Sequence, residues 1–110
     1  MPGFYLSDFD EAVGILESMH GEHPPRLQFD IYHCARTHGD VANRIARAAP
    51  FIRHFQIAGP AARNEPDDGT LDLAAVLAAV DAVESPCWVG CEYHPAGRTE
   101  DGLGWIRDYT

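Results

Sequence analysis

The feature that most constrains this sequence is a regular alternation of short apolar runs with longer segments of helical periodicity. Runs rich in aromatic and branched residues predict three strands, at 27–33, 51–57 and 87–93. Apolar residues at helical spacing predict helices at 9–19, 39–50 and 71–83, and a short terminal helix containing Leu103, Trp105 and Ile106. This α-β-α-β-α-β-α order indicates an α/β fold with parallel strands joined by crossover connections.

Local signals at the helix ends agree with this division. Ser7 or Asp8 is expected to cap the first helix, and Thr70 or Asp72 the helix over 71–83. Gly21 and the following prolines end the first helix, and we find no domain boundary, low-complexity tract or internal repeat.

Charge and hydropathy exclude two classes of partner. Seventeen acidic residues against eight basic ones give a formal net charge of -9, which opposes binding to a phosphate backbone. No apolar run approaches the roughly 20 residues that a membrane-spanning helix requires, and the N-terminus has no secretory pattern. We therefore expect a cytoplasmic protein that binds neither nucleic acid nor membrane.

The three cysteines, Cys34, Cys87 and Cys91, match no zinc-binding template. Cys87 and Cys91 stand four residues apart in a predicted strand, roughly 13 Å from each other, which is too far for a disulfide bond. We interpret all three as reduced residues used in packing.

Each predicted strand carries one carboxylate or amide towards its C-terminal end: Asp30, Gln56 and Glu92. Side chains alternate between the faces of a strand, so the neighbours of these three share the opposite face, and those neighbours are all apolar. A sheet covered on both faces should show nearly continuous apolar runs, whereas here one face is polar. The interior of a barrel with a binding site at its C-terminal end explains such a face.

Three oxygen donors from neighbouring strands suit a hard divalent cation, Mg²⁺ or Mn²⁺. The alternative is that these side chains are solvated strand ends or hydrogen-bond caps for nearby loops. For any one residue that alternative is favoured, but three residues in corresponding positions favour a site.

Five short motifs follow one another along the chain: LQFDIYH at 27–33, HFQIAG at 54–59, RNEP at 63–66, GCEY at 90–93 and GLGW at 102–105. In their order and spacing they resemble hydroxypyruvate isomerases, of the xylose-isomerase-like barrel superfamily. The resemblance spans nearly the whole chain. It implies one partial domain over 1–110, the C-terminal part of a (β/α)₈ TIM barrel with three parallel strands, the sixth to eighth, and four helices. A complete barrel needs roughly 250 residues.

The resemblance also implies roles for individual residues. Asp30, Gln56 and Glu92 match three of the family's four metal-ligand positions, and Glu92 is also one of two catalytic carboxylates. His33, Arg63 and Glu65 match positions near the substrate. The implied reaction converts hydroxypyruvate to tartronate semialdehyde through an enediolate, with a metal polarising the carbonyl while one glutamate removes a proton and the other returns it.

The sequence departs from the family pattern at its front. The fourth ligand, which is the other catalytic glutamate, belongs to a segment just before the one that begins at Met1. We therefore expect weakened metal binding and little or no isomerase activity from these 110 residues alone.

Of three alternatives to a hydroxypyruvate isomerase, the first two stay open and the third is disfavoured. A non-catalytic assembly or regulatory module could keep the fold without the chemistry. A keto-sugar epimerase differs only in substrate, although such relatives usually carry His where Gln56 stands. An abasic-site endonuclease would need a histidine-rich zinc set and a basic surface, which are missing here.

The partial barrel would leave strand edges unpaired and Trp88, Tyr32 and Tyr93 partly exposed. We expect the substrate to be a small keto acid or keto sugar. A second copy of the chain, or a complementing N-terminal half-barrel chain with strands one to five, is expected to cover the exposed surface.

Overall fold

The computed structural model describes residues 8–109, and a three-stranded parallel sheet in the order β1-β2-β3 organises them. The strands are β1 (Leu27–Asp30), β2 (Ile52–Ile57) and β3 (Trp88–Cys91). The α-helices are α1 (Phe9–Ser18), α2 (Ile31–Thr37), α3 (Val41–Ala48) and α4 (Leu73–Asp81), and 3₁₀ segments cover Ala49–Phe51 and Glu100–Tyr109. The expected α/β class and the parallel pairing of all three strands are confirmed.

The first strand is shorter than the sequence predicts. The prediction of a strand over 27–33 is wrong beyond Asp30, because Ile31 already begins α2. Asp30 is the N-cap of that helix, and its Oδ1 accepts a hydrogen bond from the backbone N–H of His33 at 2.9 Å. An aspartate in this position satisfies a donor that the first helical turn leaves free. The described part of the chain therefore contains one α-helix that periodicity did not reveal.

Two of the expected caps are confirmed. Asp8 Oδ1 accepts from the backbone N–H of Asp10 at 2.7 Å and of Glu11 at 3.1 Å, and the hydrogen bond from Glu11 holds the pKa of Asp8 below its usual value. Asp72, rather than Thr70, caps α4 by accepting from the backbone N–H of Ala75 at 3.2 Å. The alternative cap Ser7 lies outside the described residues.

The core lies on the apolar face of the sheet. Phe29 and Phe55, register partners on β1 and β2, are almost fully buried with ring centroids 5.8 Å apart, and Phe9 of α1 meets Phe29 edge-on at 5.1 Å. Aliphatic residues from the helices and β2 complete this core: Val13, Ile31, Val41, Ile45, Ile52, Ile57, Leu73 and Val76. The expectation of an apolar, helix-covered face holds for β1 and β2.

The cysteines differ from one another. All three are free thiols, and Cys34 is buried, which raises its pKa to about 11 and keeps it protonated at neutral pH. Cys91 is exposed at the end of β3, so its interpretation as a packing residue is wrong. No helix between residues 8 and 109 combines the length and the apolar character needed to cross a bilayer.

Candidate active site

The strand register brings the polar residues of the sheet together. Asp30 of β1 lies opposite Gln56 of β2, and Gln56 lies opposite Gly90 of β3. Glu92 comes two residues after Gly90 and so shares its face, and the Glu92 backbone N–H donates to the carbonyl oxygen of Ile57 at 3.2 Å. Asp30, Gln56 and Glu92 thus mark one face of the sheet at the C-terminal ends of three adjacent strands.

Asp30 and Gln56 each make one side-chain hydrogen bond there. Gln28 Nε2 donates to Gln56 Oε1 at 2.8 Å, which orients the Gln56 amide. Asp30 uses Oδ1 to cap α2, while its Oδ2 lies 3.8 Å from His33 Nε2. Because a carbonyl oxygen has two lone pairs and a carboxylate about four acceptor positions, both side chains can accept a further partner. The cap interpretation is thus true of Asp30 without removing its capacity as a ligand.

Glu92 is paired with Arg63, which lies on the loop between β2 and α4. Arg63 Nη2 donates to Glu92 Oε1 at 3.1 Å, and Arg63 Cζ lies 4.8 Å from the centroid of the Tyr32 ring. Arg63 has a φ of 58°, an uncommon value for a residue with a side chain. Its backbone is held on both sides, since its N–H donates to Gly59 O at 2.9 Å and its carbonyl accepts from His94 N–H at 2.8 Å.

Tyr32 also contacts these residues, although the sequence analysis did not select it as a site residue. In addition to its contact with Arg63, the Tyr32 ring meets the His33 ring edge-on at a centroid distance of 5.0 Å. Arg36 Cζ lies 5.7 Å from the centroid of the Tyr32 ring. A spacing of four residues between Tyr32 and Arg36 would have signalled a shared helical face, but only once α2 was recognised as a helix. We refer to Asp30, Tyr32, His33, Arg63 and Glu92 as the polar cluster.

Glu65 makes its side-chain contacts with residues outside the polar cluster. It is only 9% exposed, and its Oε2 accepts a hydrogen bond from the backbone N–H of Ala96 at 3.2 Å. Its Oε1 fills the space where a Cβ at Gly102 would lie. These contacts are those of a residue that anchors loops, and the substrate role expected for Glu65 stays a prediction.

The donor set for a metal ion is partial. Within residues 8–109, no group of three or more His, Cys, Asp and Glu side chains is arranged to hold a metal. Asp30 and Glu92 supply two carboxylates and Gln56 an amide oxygen, which are the oxygen donors that Mg²⁺ and Mn²⁺ prefer. The chemistry of these donors fits the expected cation, and their number leaves most of its coordination to water, substrate or other residues.

Comparison with known proteins identifies the family of the chain. The model of the xylose isomerase-like TIM-barrel family matches residues 1–109. A 2-oxo-tetronate isomerase of Cupriavidus necator is 39% identical over 99% of the chain, and the hydroxypyruvate isomerase of Escherichia coli K12 is 34% identical over 99%. The crystal structure of an AP endonuclease, family 2, from Brucella melitensis superposes with a TM-score of 0.88, at 36% identity over 99% of the chain.

The chain belongs to the xylose isomerase-like TIM-barrel family. Its three parallel strands form part of such a barrel, as the sequence predicted. The chain spans about two-fifths of the length of the relatives it matches, since it covers 42% of each of these three. Its relatives include hydroxypyruvate and 2-oxo-tetronate isomerases.

Proposed function

We propose that this chain supplies three metal-binding residues to an isomerase that acts on a small 2-oxo acid. One of the three is also a catalytic carboxylate. The observation that carries the proposal is the alignment of Asp30 with Gln56 in the strand register, with Glu92 following on the same face. The preferred reaction is the conversion of hydroxypyruvate to tartronate semialdehyde, and a four-carbon 2-oxo acid is the second candidate. The second candidate is favoured by the 39% identity to the 2-oxo-tetronate isomerase.

A bound Mg²⁺ or Mn²⁺ would polarise the substrate carbonyl and so acidify the adjacent C–H group. Asp30, Gln56 and Glu92 are the residues that would hold the ion. Gln28 contributes indirectly, because its hydrogen bond fixes the oxygen of Gln56 on the polar face. Asp30 keeps Oδ2 for this purpose while Oδ1 stays committed to α2.

Glu92 is the residue we assign to proton transfer. It is exposed on the polar face of the sheet, and its Oε1 is oriented by Arg63. A carboxylate held in this way can accept a proton from one carbon of the substrate or deliver one to the neighbouring carbon. Arg63, with its planar guanidinium, and His33, at the start of α2, are suited to bind the substrate carboxylate.

Two carboxylates and one amide are a weak site for a divalent cation, and a proton exchange between two carbons is best served by a pair of acid–base groups. We therefore propose that the 110-residue chain has little isomerase activity by itself. A chain carrying the first five strands of the E. coli relative would complete the barrel and raise the activity. In that case the polar face and Trp88, which is 82% exposed, would be covered.

The net charge argues against the endonuclease activity for which the Brucella protein is named. The eight basic residues, all arginines, are outnumbered by 17 acidic residues, and the resulting net charge of -9 opposes binding to a DNA backbone. A non-catalytic assembly role would keep the fold but would not need Asp30, Gln56 and Glu92 together on one face.

To test the proposed reaction, the chain is mixed with the complementing half-barrel and Mn²⁺, and the conversion of hydroxypyruvate is followed by NMR. We expect tartronate semialdehyde from the mixture and at least a roughly 100-fold slower reaction when Glu92→Gln replaces the catalytic carboxylate. Glu100→Gln is the matched control, because Glu100 is also an exposed glutamate near β3 in sequence but lies in the 3₁₀ segment. Equal loss in both variants, or activity that survives Glu92→Gln, would contradict the proposal.

Binding of Mn²⁺ to the chain alone gives an independent measurement. We expect a dissociation constant in the millimolar range that Asp30→Asn and Glu92→Gln each weaken further, whereas Glu100→Gln leaves it unchanged. A non-catalytic module predicts no difference among these variants.

A further inference from the structure

We propose that Tyr32 is a positioning residue that holds the Arg63 guanidinium beside Glu92 and thereby fixes where the carboxylate of the substrate binds. The position of the Arg63 guanidinium concerns only contacts within this chain, whereas the binding of a substrate carboxylate rests on the proposed function. Tyr32 stands in the first turn of α2, whereas Arg63 belongs to the loop after β2. The two side chains therefore meet only in the folded chain.

The ion pair between Arg63 and Glu92 needs support to keep one geometry. The Arg63 side chain is 30% exposed and the Glu92 side chain 54% exposed, and such pairs in contact with water are worth little by themselves. The Tyr32 ring lies 4.8 Å from Arg63 Cζ, within the range of a cation–π contact. A guanidinium resting on this ring loses fewer orientations than one that extends into solvent, so the ring defines the position of the cation.

Tyr32 is itself fixed by its helix. Arg36, one turn later in α2, lies 5.7 Å from the ring and donates from Nη1 to the carbonyl oxygen of Pro60 at 3.0 Å. Pro60 lies on the loop that carries Arg63. Arg36 thus joins the helix bearing the ring to the loop bearing the guanidinium, and the two cannot separate without breaking this hydrogen bond.

The arrangement bears on substrate choice. A guanidinium has five N–H donors in a fixed fork, and Glu92 Oε1 uses the Nη2 end of the Arg63 group. The remaining donors can bind a carboxylate with two parallel hydrogen bonds, which requires a fixed plane for the guanidinium. By holding that plane, Tyr32 favours a carboxylate-bearing substrate over a neutral sugar.

Side-chain NMR of the arginines tests the positioning. The chain has eight arginines and no lysine, so eight Nε–Hε signals are expected. A guanidinium close to an aromatic ring has a ring-current shift, which we expect for Arg63 in the wild type and in Tyr32→Phe. Tyr32→Leu should abolish it, and Tyr109→Leu, which changes an exposed tyrosine elsewhere, should preserve it. An Arg63 signal that is the same in Tyr32→Leu and the wild type would overturn the proposal.

A second measurement concerns the ligand. Pyruvate lacks the hydroxyl group of hydroxypyruvate and cannot isomerise, so its dissociation constant from the chain mixed with the complementing half-barrel and Mn²⁺ can be measured without turnover. We expect Tyr32→Leu to raise that constant about 5-fold and Tyr32→Phe to restore it. If the mixture of the wild-type chain with the complementing half-barrel does not bind pyruvate, the proposed function fails, while the Arg63 signal still decides whether Tyr32 positions the guanidinium.

Arg36→Gln provides a variant that leaves the ring in place. It removes the hydrogen bond to Pro60, so we expect a reduced ring-current shift for Arg63 and a weakening of pyruvate binding smaller than that in Tyr32→Leu. A urea unfolding midpoint for each variant separates loss of positioning from loss of the fold. An unchanged Arg63 signal in a folded Arg36→Gln variant would contradict the coupling of helix and loop.

Discussion

Arg63 and Glu65 stand two residues apart on one loop and have opposite surroundings. Arg63 is half-buried, pairs with Glu92 and rests on Tyr32 in the polar cluster. Glu65 is buried, accepts from the backbone N–H of Ala96 and packs against Gly102. The difference teaches that charged residues in one motif can divide between an ion pair in contact with solvent and buried loop contacts, and that burial distinguishes the two.

Asn64, the residue between Arg63 and Glu65, links their loop to the loop after β3. Asn64 Nδ2 donates to the carbonyl oxygen of His94 at 3.0 Å, and the Asn64 carbonyl accepts from Gly59 N–H at 2.9 Å. A Cβ at Gly59 would lie 2.6 Å from the backbone oxygen of Glu65, so only glycine fits there. Hydrogen bonds of residues 63–65 with His94 and Ala96 therefore join the loop after β2 to the loop after β3, with Glu65 buried between them and Arg63 more exposed.

The largest expected effect is from Glu65→Ala. It leaves the Ala96 N–H without its acceptor and opens space beside Gly102, so we expect a loss of about 3 kcal/mol in the free energy of unfolding. Urea denaturation measures it. Glu65→Gln keeps an acceptor oxygen of similar shape and should lose much less. A Glu65→Ala variant as stable as the wild type would remove the distinction between the two residues.

Gly102→Ala approaches the same contact from the other side. The new methyl group would collide with the Glu65 carboxylate, and we expect a loss of about 2 kcal/mol. Gly104→Ala is the control, because nothing lies within 4 Å of a Cβ there. In the double variant with Glu65→Ala the collision disappears, so the two losses should not add. Additive losses in a double-mutant cycle would show that these residues do not touch.

Asn64→Ala affects the link between the two regions. It removes the hydrogen bond to His94, and we expect a loss of about 1 kcal/mol together with a shift of the Arg63 side-chain NMR signal. Asn64→Asp is isosteric and also lacks the amide donor, so it should reproduce both effects. If the stability falls while the Arg63 signal stays in place, the edge of the loop is independent of its interior.

An effect no larger than that of Asn64→Ala separates the contribution of the Arg63 backbone from that of its side chain. Arg63→Ala loses the pair with Glu92 but keeps the left-handed φ of 58°, whereas Arg63→Gly also removes the steric cost of that conformation. We expect Arg63→Gly to be more stable than Arg63→Ala by about 1 kcal/mol, with both variants equally poor in binding pyruvate. Equal stability in thermal unfolding would mean that the loop relaxes around residue 63.

The strands and most helices could be predicted because their periodicity is local. Phe55 and Ile57 are buried on one side of β2, and Gln56 lies on the other, as alternation requires. The sequence did not predict helix α2, because this helix follows β1 without a turn and begins with Ile31 and Tyr32, residue types that favour strands. The cap from Asp30 and burial of Ile31 and Cys34 outweigh that preference.

The sequence by itself determined the α/β alternation, the polar face with Asp30, Gln56 and Glu92, and the family to which the chain belongs. These follow from residue order, because side-chain alternation and motif spacing are properties of the chain. The partners of each charge were decided only by the tertiary structure. Tyr32 meets Arg63, and Glu65 meets Ala96, across about 30 residues each, and no local pattern encodes a contact between segments that approach each other only when the sheet has formed.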